Sequence, residues 1–197
     1  MEKNEYKKIA DEILEISLVL FFVEDALNTV DYLEKEMEDS MNRQSIAGGP
    51  FIRTAKSTML KVALTELAKL FSAKAYNCDL QNLFFHLKDL TFYGHYNIRR
   101  SQVDHWEKRL TGQSQAIAFV LLRGRTIPLK ISQQQYISEK LELSSVRNLL
   151  GVVTEIIIEI NQSLFSTNFQ ERMPLNTIQI DARRVIEVLK EEARKDI

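Results

Sequence analysis

The sequence predicts an all-α protein, a bundle of about six helices with a long N-terminal helix, on three observations. Three prolines and six glycines leave little punctuation, which favours long helices over many short strands. From Tyr6 onward, apolar residues recur in alternating steps of three and four, the helical period. The composition, 45% hydrophobic and 27% charged, is that of a chain that folds around a core. At 197 residues the chain is long enough for one sizeable core and short for two, so one helical domain over 1–197 is expected.

The first helix is expected from about Glu5 to Asp39, on the order of 50 Å long at 1.5 Å per residue. Its seam is Tyr6, Ile9, Ile13, Ile16, Leu20, Val23, Leu27 and Val30, a heptad pattern. Leu18, Val19, Phe21 and Phe22 make its centre apolar on nearly every side, as in a helix enclosed by others or used as an oligomer interface. Ser45 to Pro50, with two glycines and a proline, ends that region. A second helix is expected from Phe51 to Ser72, with Ile52, Ala55, Met59, Val62, Leu67 and Leu70 on one face. Asp79 is an N-cap candidate for a shorter third helix carrying Leu80, Leu83, Phe84 and Leu87.

The helical pattern lapses at Phe92-Tyr93-Gly94-His95-Tyr96, an aromatic loop. A fourth helix is expected over Ser101 to Leu122, using Val103, Trp106, Leu110, Ile117 and Leu121, with Gly124 and Pro128 as its breakers. Thr126 to Ser132 (TIPLKIS) is the one stretch suited to a short extended segment. Ser144 or Ser145 caps a fifth helix with Val146, Leu149, Leu150, Val153, Ile157, Ile160 and Leu164 inward. A polar loop with Pro174 leads to a last helix over about Ile178 to Arg194.

The bulk properties narrow the function classes. A formal net charge of -1 provides no global field for nucleic acid, so any such contact needs a local basic patch. The single cysteine, Cys78, cannot form an internal disulfide, which fits a reducing compartment. The N-terminus lacks the basic-then-apolar order of a signal peptide. The most apolar run, Ile16 to Val23, is far below the roughly 20 residues that span a bilayer. A cytoplasmic protein without membrane association is the expectation. Phosphate-loop, HExxH, paired-cysteine and GxSxG signatures are absent from the sequence. With three histidines (His86, His95 and His105) and no Glu-x-x-His repeat, neither a metal site nor a cofactor is expected.

One stretch carries candidate chemistry: Arg99-Arg100-Ser101-Gln102-Val103-Asp104-His105. An arginine holds a phosphate by paired hydrogen bonds, and a histidine near neutral pKa shuttles the proton of a ribose 2′-hydroxyl. Arg100 and His105 together suffice in principle for metal-independent RNA cleavage. Positions five apart on an ideal helix differ by about 140°, so the pair converges only at a frayed helix start or across a second subunit. The competing reading is a surface arginine and a capping or packing histidine. Tyr93, His95 and Tyr96 beside Arg99 and Arg100 mix aromatic and basic groups, suited to stacking bases or to plugging the bundle end. Trp106 reads as core, and Arg123, Arg125 and Lys130 as a solvated helix end.

Three segments carry a family resemblance. These are Arg53-Thr54-Ala55-Lys56 through Leu64-Thr65-Glu66-Leu67-Ala68-Lys69-Leu70-Phe71, then Asn77-Cys78-Asp79-Leu80-Gln81-Asn82-Leu83, then the fifth helix. Their order and pattern resemble the HEPN superfamily of helical nucleotide-binding and ribonuclease domains of prokaryotic defence systems, nearest the abortive-infection AbiU-type branch. Active members of that superfamily carry an arginine, four to six residues, then a histidine, and work as dimers with the motifs facing each other. The resemblance implies that Arg100 clamps phosphate and His105 acts as general acid or base in a homodimer acting on RNA. In the AbiU-type branch the motif is expected later, near Leu121 to Pro128, and no histidine follows His105. On that placement the domain is a non-cleaving relative. Two functions are thus expected: a toxin or phage-defence ribonuclease, or a non-catalytic helical module that pairs with itself or a protein partner through the first helix.

Overall fold

The heptad seam of the first helix places an unbroken apolar row along one face, and in a computed structural model of the chain that row is the spine of the core. The structure describes residues 2–43, 50–72, 79–92, 98–125 and 133–165. Among these residues there are six helices and no strand: α1 (Glu2–Arg43), α2 (Pro50–Lys69), α3 (Leu80–Phe92), α4 (Arg100–Thr111), α5 (Ser114–Arg125) and α6 (Gln133–Phe165). The all-α bundle expected from the pattern is what is seen. The extended segment expected at Thr126–Ser132 and the helix expected over Ile178–Arg194 lie outside the described residues, as does the aromatic loop with Tyr93, His95 and Tyr96.

α1 and α6 touch each other and are shared by two circuits of packed helices, α1–α2–α5–α6 and α1–α3–α4–α6. From α1, Ile9, Ile13, Ile16, Leu20, Val23 and Leu27 join one apolar cluster with residues from every other helix, including Leu67, Leu83, Trp106, Val120 and Ile157. Leu33 leaves that cluster and packs with Ile52 of α2. The isoleucine run at 156–158 is helical, because burial of Ile156 and Ile157 at helical spacing outweighs the mild helix preference lost by β-branching.

The enclosed part of α1 sits a turn or two later than its most apolar stretch. Leu18 is 53% exposed, Val19 packs against the core, and Phe21 and Phe22 are half-buried. Enclosure on all sides begins at Asp25, Ala26, Leu27, Thr29 and Val30. There the Thr29 hydroxyl donates to the Asp25 carbonyl at 2.9 Å, so a polar side chain is satisfied within the helix itself. From α6, Arg147 donates to the Leu27 carbonyl at 2.9 Å and pairs with Asp31, which ties α6 to this stretch of α1.

Two local expectations are corrected. The single helix over Ser101–Leu122 is two helices, because its apolar period fails: after Val103, Trp106 and Leu110 the next inward positions would be Gln113 and Ser114. A turn at Gly112, whose amide donates to the Lys108 carbonyl at 3.1 Å, rephases the chain so that Ala116 and Val120 face inward. α5 is described to Arg125, one residue past Gly124, and Gly124 lies where α5 crosses α2. The last described helix starts at Gln133, not at Ser144 or Ser145. The cap expected at Asp79 is present: its buried carboxylate accepts from the Gln81 amide at 2.9 Å. Burial pushes the Asp79 carboxyl above the ordinary carboxylate range, opposed by that hydrogen bond.

Gly151 is exposed in the interior of α6, and a Cβ there would meet nothing within 4 Å. Gly151→Ala is therefore expected to stabilise the protein by about 0.5–1 kcal/mol, by removing backbone freedom from the unfolded chain. Thermal unfolding checks this; a lowered midpoint would contradict it.

Candidate functional site

α4 carries the two residues singled out from the sequence. Its start is set by Arg99, whose backbone amide donates to the Gln102 carboxamide oxygen at 2.7 Å. Val103 and Trp106 then turn inward, and the Trp106 indole N–H donates to Glu159 Oε2 of α6 at 2.7 Å. Glu159 Oε1 accepts from Arg109 at 2.6 Å, so one carboxylate locks α4 to α6. Trp106 is core, as its place in the apolar period implied.

Arg100 is the first residue of α4 and is exposed. It stands on the same stripe as Asp104 and Glu107, which reach Lys88 of α3 at 3.5 and 2.6 Å. The hydrogen bond that Lys88 donates to Glu107 is the main reason that its ammonium is held above the ordinary lysine range. His105, also exposed, lies about 140° further round the helix, on the outward flank with Ser101 and Lys108. One chain therefore does not bring Arg100 and His105 side by side. Neither side chain, nor that of Arg99, makes a hydrogen bond or ion pair with a described residue. Of the second basic spot, Arg123 is described, and its guanidinium lies 5.7 Å from the centre of the Phe119 ring.

A different constellation occupies the cleft between α1 and α3, a space of about 630 Å³. The cleft is bordered by Lys7, Lys8, Asp11, Glu12 and Glu15 of α1 and by Asn82 and His86 of α3. His86 Nδ1 lies 3.0 Å from Glu12 Oε2, and Lys8 Nζ lies 3.2 Å from His86 Nε2. Glu12 is 9% exposed, wedged between the helices, while His86 is open to the cleft. A carboxylate can only accept, so Nδ1 carries the proton and Nε2 offers its lone pair to the lysine ammonium. The Phe85 ring meets the imidazole edge-on at 5.9 Å between centroids. Chemically this is an oriented base with a cation beside it. Sequence reasoning passed it over, because Glu12 and His86 are 74 residues apart and only the packing of α1 on α3 joins them.

Among the described residues no group of three or more histidine, cysteine, aspartate or glutamate side chains is placed to hold a metal ion. No described helix is long and apolar enough to cross a membrane. Comparison with family models, characterised proteins and solved structures gave no match for the chain.

Proposed function

We propose that the chain is a HEPN-like helical domain of prokaryotic defence or toxin type, a homodimer that binds RNA at the start of α4 and cleaves it without a metal. The observation that carries this is the pair of exposed arginines at the positive end of a helix. Arg99 and Arg100 have no described carboxylate partner, whereas Arg109, Arg147 and Lys88 are held in ion pairs. A guanidinium that no described carboxylate holds can take a phosphate. His105 is exposed and available to move the 2′-hydroxyl proton. Because the two positions are about 140° apart on α4, cleavage requires Arg100 of one subunit to meet His105 of the other.

Leu14 and Leu18, one turn apart on α1, are 58% and 53% exposed and supply an apolar contact surface for a second copy. The same surface favours a second reading, a non-catalytic module that only pairs. Incubating the purified protein with cellular RNA in excess chelator separates the two. Cleavage is expected, reduced on the order of 100-fold by His105→Ala. Arg100→Ala should weaken RNA binding and lower its salt dependence by about one phosphate contact. A dimer that leaves RNA intact supports the second reading, and equal cleavage by His105→Ala removes the first.

A further inference from the structure

The cleft between α1 and α3 has no part in RNA binding at α4, and its charge argues against a polyanion. Lys7 and Lys8 contribute two positive charges against three negative ones from Asp11, Glu12 and Glu15, a balance of -1 with His86 neutral. A phosphodiester is repelled there, and a cation is attracted. We propose that this cleft is an acyl-hydrolysis site for small carboxylic esters that carry a positive charge, with His86 as general base.

Four features of the cleft support the assignment. Glu12 accepts the Nδ1 proton at 3.0 Å from a nearly buried position, so the imidazole is fixed in the tautomer whose Nε2 lone pair faces the cleft. Lys8, 3.2 Å from Nε2, sets an ammonium beside the place where a Nε2-bound water would react. The cleft, about 630 Å³, is open and lined by polar and charged side chains, with room for a small polar molecule. Asp11 and Glu15, one turn apart on α1 and both exposed, offer carboxylates to a cationic substrate end.

In the reaction, water replaces Lys8 at Nε2 and its oxygen bonds to the ester carbonyl carbon while its proton passes to Nε2. The carbonyl electron pair moves onto oxygen, where the Lys8 ammonium stabilises it. When the carbonyl reforms, the bond to the alkoxy oxygen breaks. His86 returns its proton to that oxygen, releasing a carboxylic acid and an alcohol with one water consumed. Glu12 is a positioning residue, acting only through the imidazole.

The test follows acid release at constant pH from glycine ethyl ester (cationic), ethyl acetate (neutral) and monoethyl succinate (anionic). The wild-type chain should favour the cationic ester, and His86→Gln should lose activity on the order of 100-fold. Glu12→Gln should lower kcat and displace its pH profile, a readout that a purely structural role would leave in place. Nitrogen-15 NMR of the wild-type chain tests the same site without a substitution: His86 should carry its proton on Nδ1. No acid release above buffer, equal rates for the wild type and a folded His86→Gln, no preference for the cationic ester, or a proton on Nε2 overturns the proposal.

Discussion

Trp106→Ala is expected to cost the fold about 3–5 kcal/mol, the range for truncating a fully buried large side chain. Trp106 is 2% exposed, sits in the cluster to which all six helices contribute, and is the only tryptophan of the chain. Two losses add. The cavity left behind removes packing within the shared core cluster, and the indole N–H to Glu159 is gone. Trp106→Phe separates them: most of the apolar volume stays and the hydrogen bond goes, at an expected cost of about 1–2 kcal/mol. Urea unfolding followed by circular dichroism reads both. A loss under about 1 kcal/mol for Trp106→Ala would mean that α4 is not anchored through this residue.

Gly124→Val is the other substitution with a large expected effect. A Cβ at this position would lie 2.8 Å from both the Ala68 Cβ and the Leu64 carbonyl oxygen, closer than real contacts allow. α5 and α2 approach backbone to backbone here, with the Thr65 hydroxyl donating to the Gly124 carbonyl at 3.3 Å. The helix preference gained by replacing glycine is at most about 1 kcal/mol. Overpacking at a helix crossing costs about 1–3 kcal/mol, and more for a branched side chain set against backbone, so the clash wins. Ala68→Gly in the same chain should restore part of the loss, because it removes one of the two contacts and leaves the Leu64 oxygen. Unchanged stability of Gly124→Val would contradict the close crossing.

What could be read from the sequence was local. The seam from Ile9 to Val30, the Asp79 cap and the helical character of Ile156 to Ile158 all follow from spacing within a few turns, and the structure bears them out. At Gly124 the sequence shows a helix-breaking residue near the end of α5, and only the position of α2 shows that it is also a close approach. The turn at Gly112 was legible in retrospect, since Gln113 and Ser114 break the inward row after Leu110. The site divides in the same way. Arg100 and His105 stand out as a string of residues, but α4 sets them on different flanks. Glu12 and His86 make no string, and the fold brings them to 3.0 Å.

The functional claim rests on composite chemistry across two subunits, and mixing impaired chains tests it most directly. Arg100→Ala, through weaker RNA binding, and His105→Ala, by on the order of 100-fold, are each expected to lose most of the cleavage. Unfolded together and refolded as a mixture, half of the dimers pair one chain of each kind, and each such dimer regains one intact site of two. The mixture should therefore recover roughly a quarter of wild-type cleavage. A mixture no more active than its separate parts would contradict an RNA-cleaving site shared between subunits.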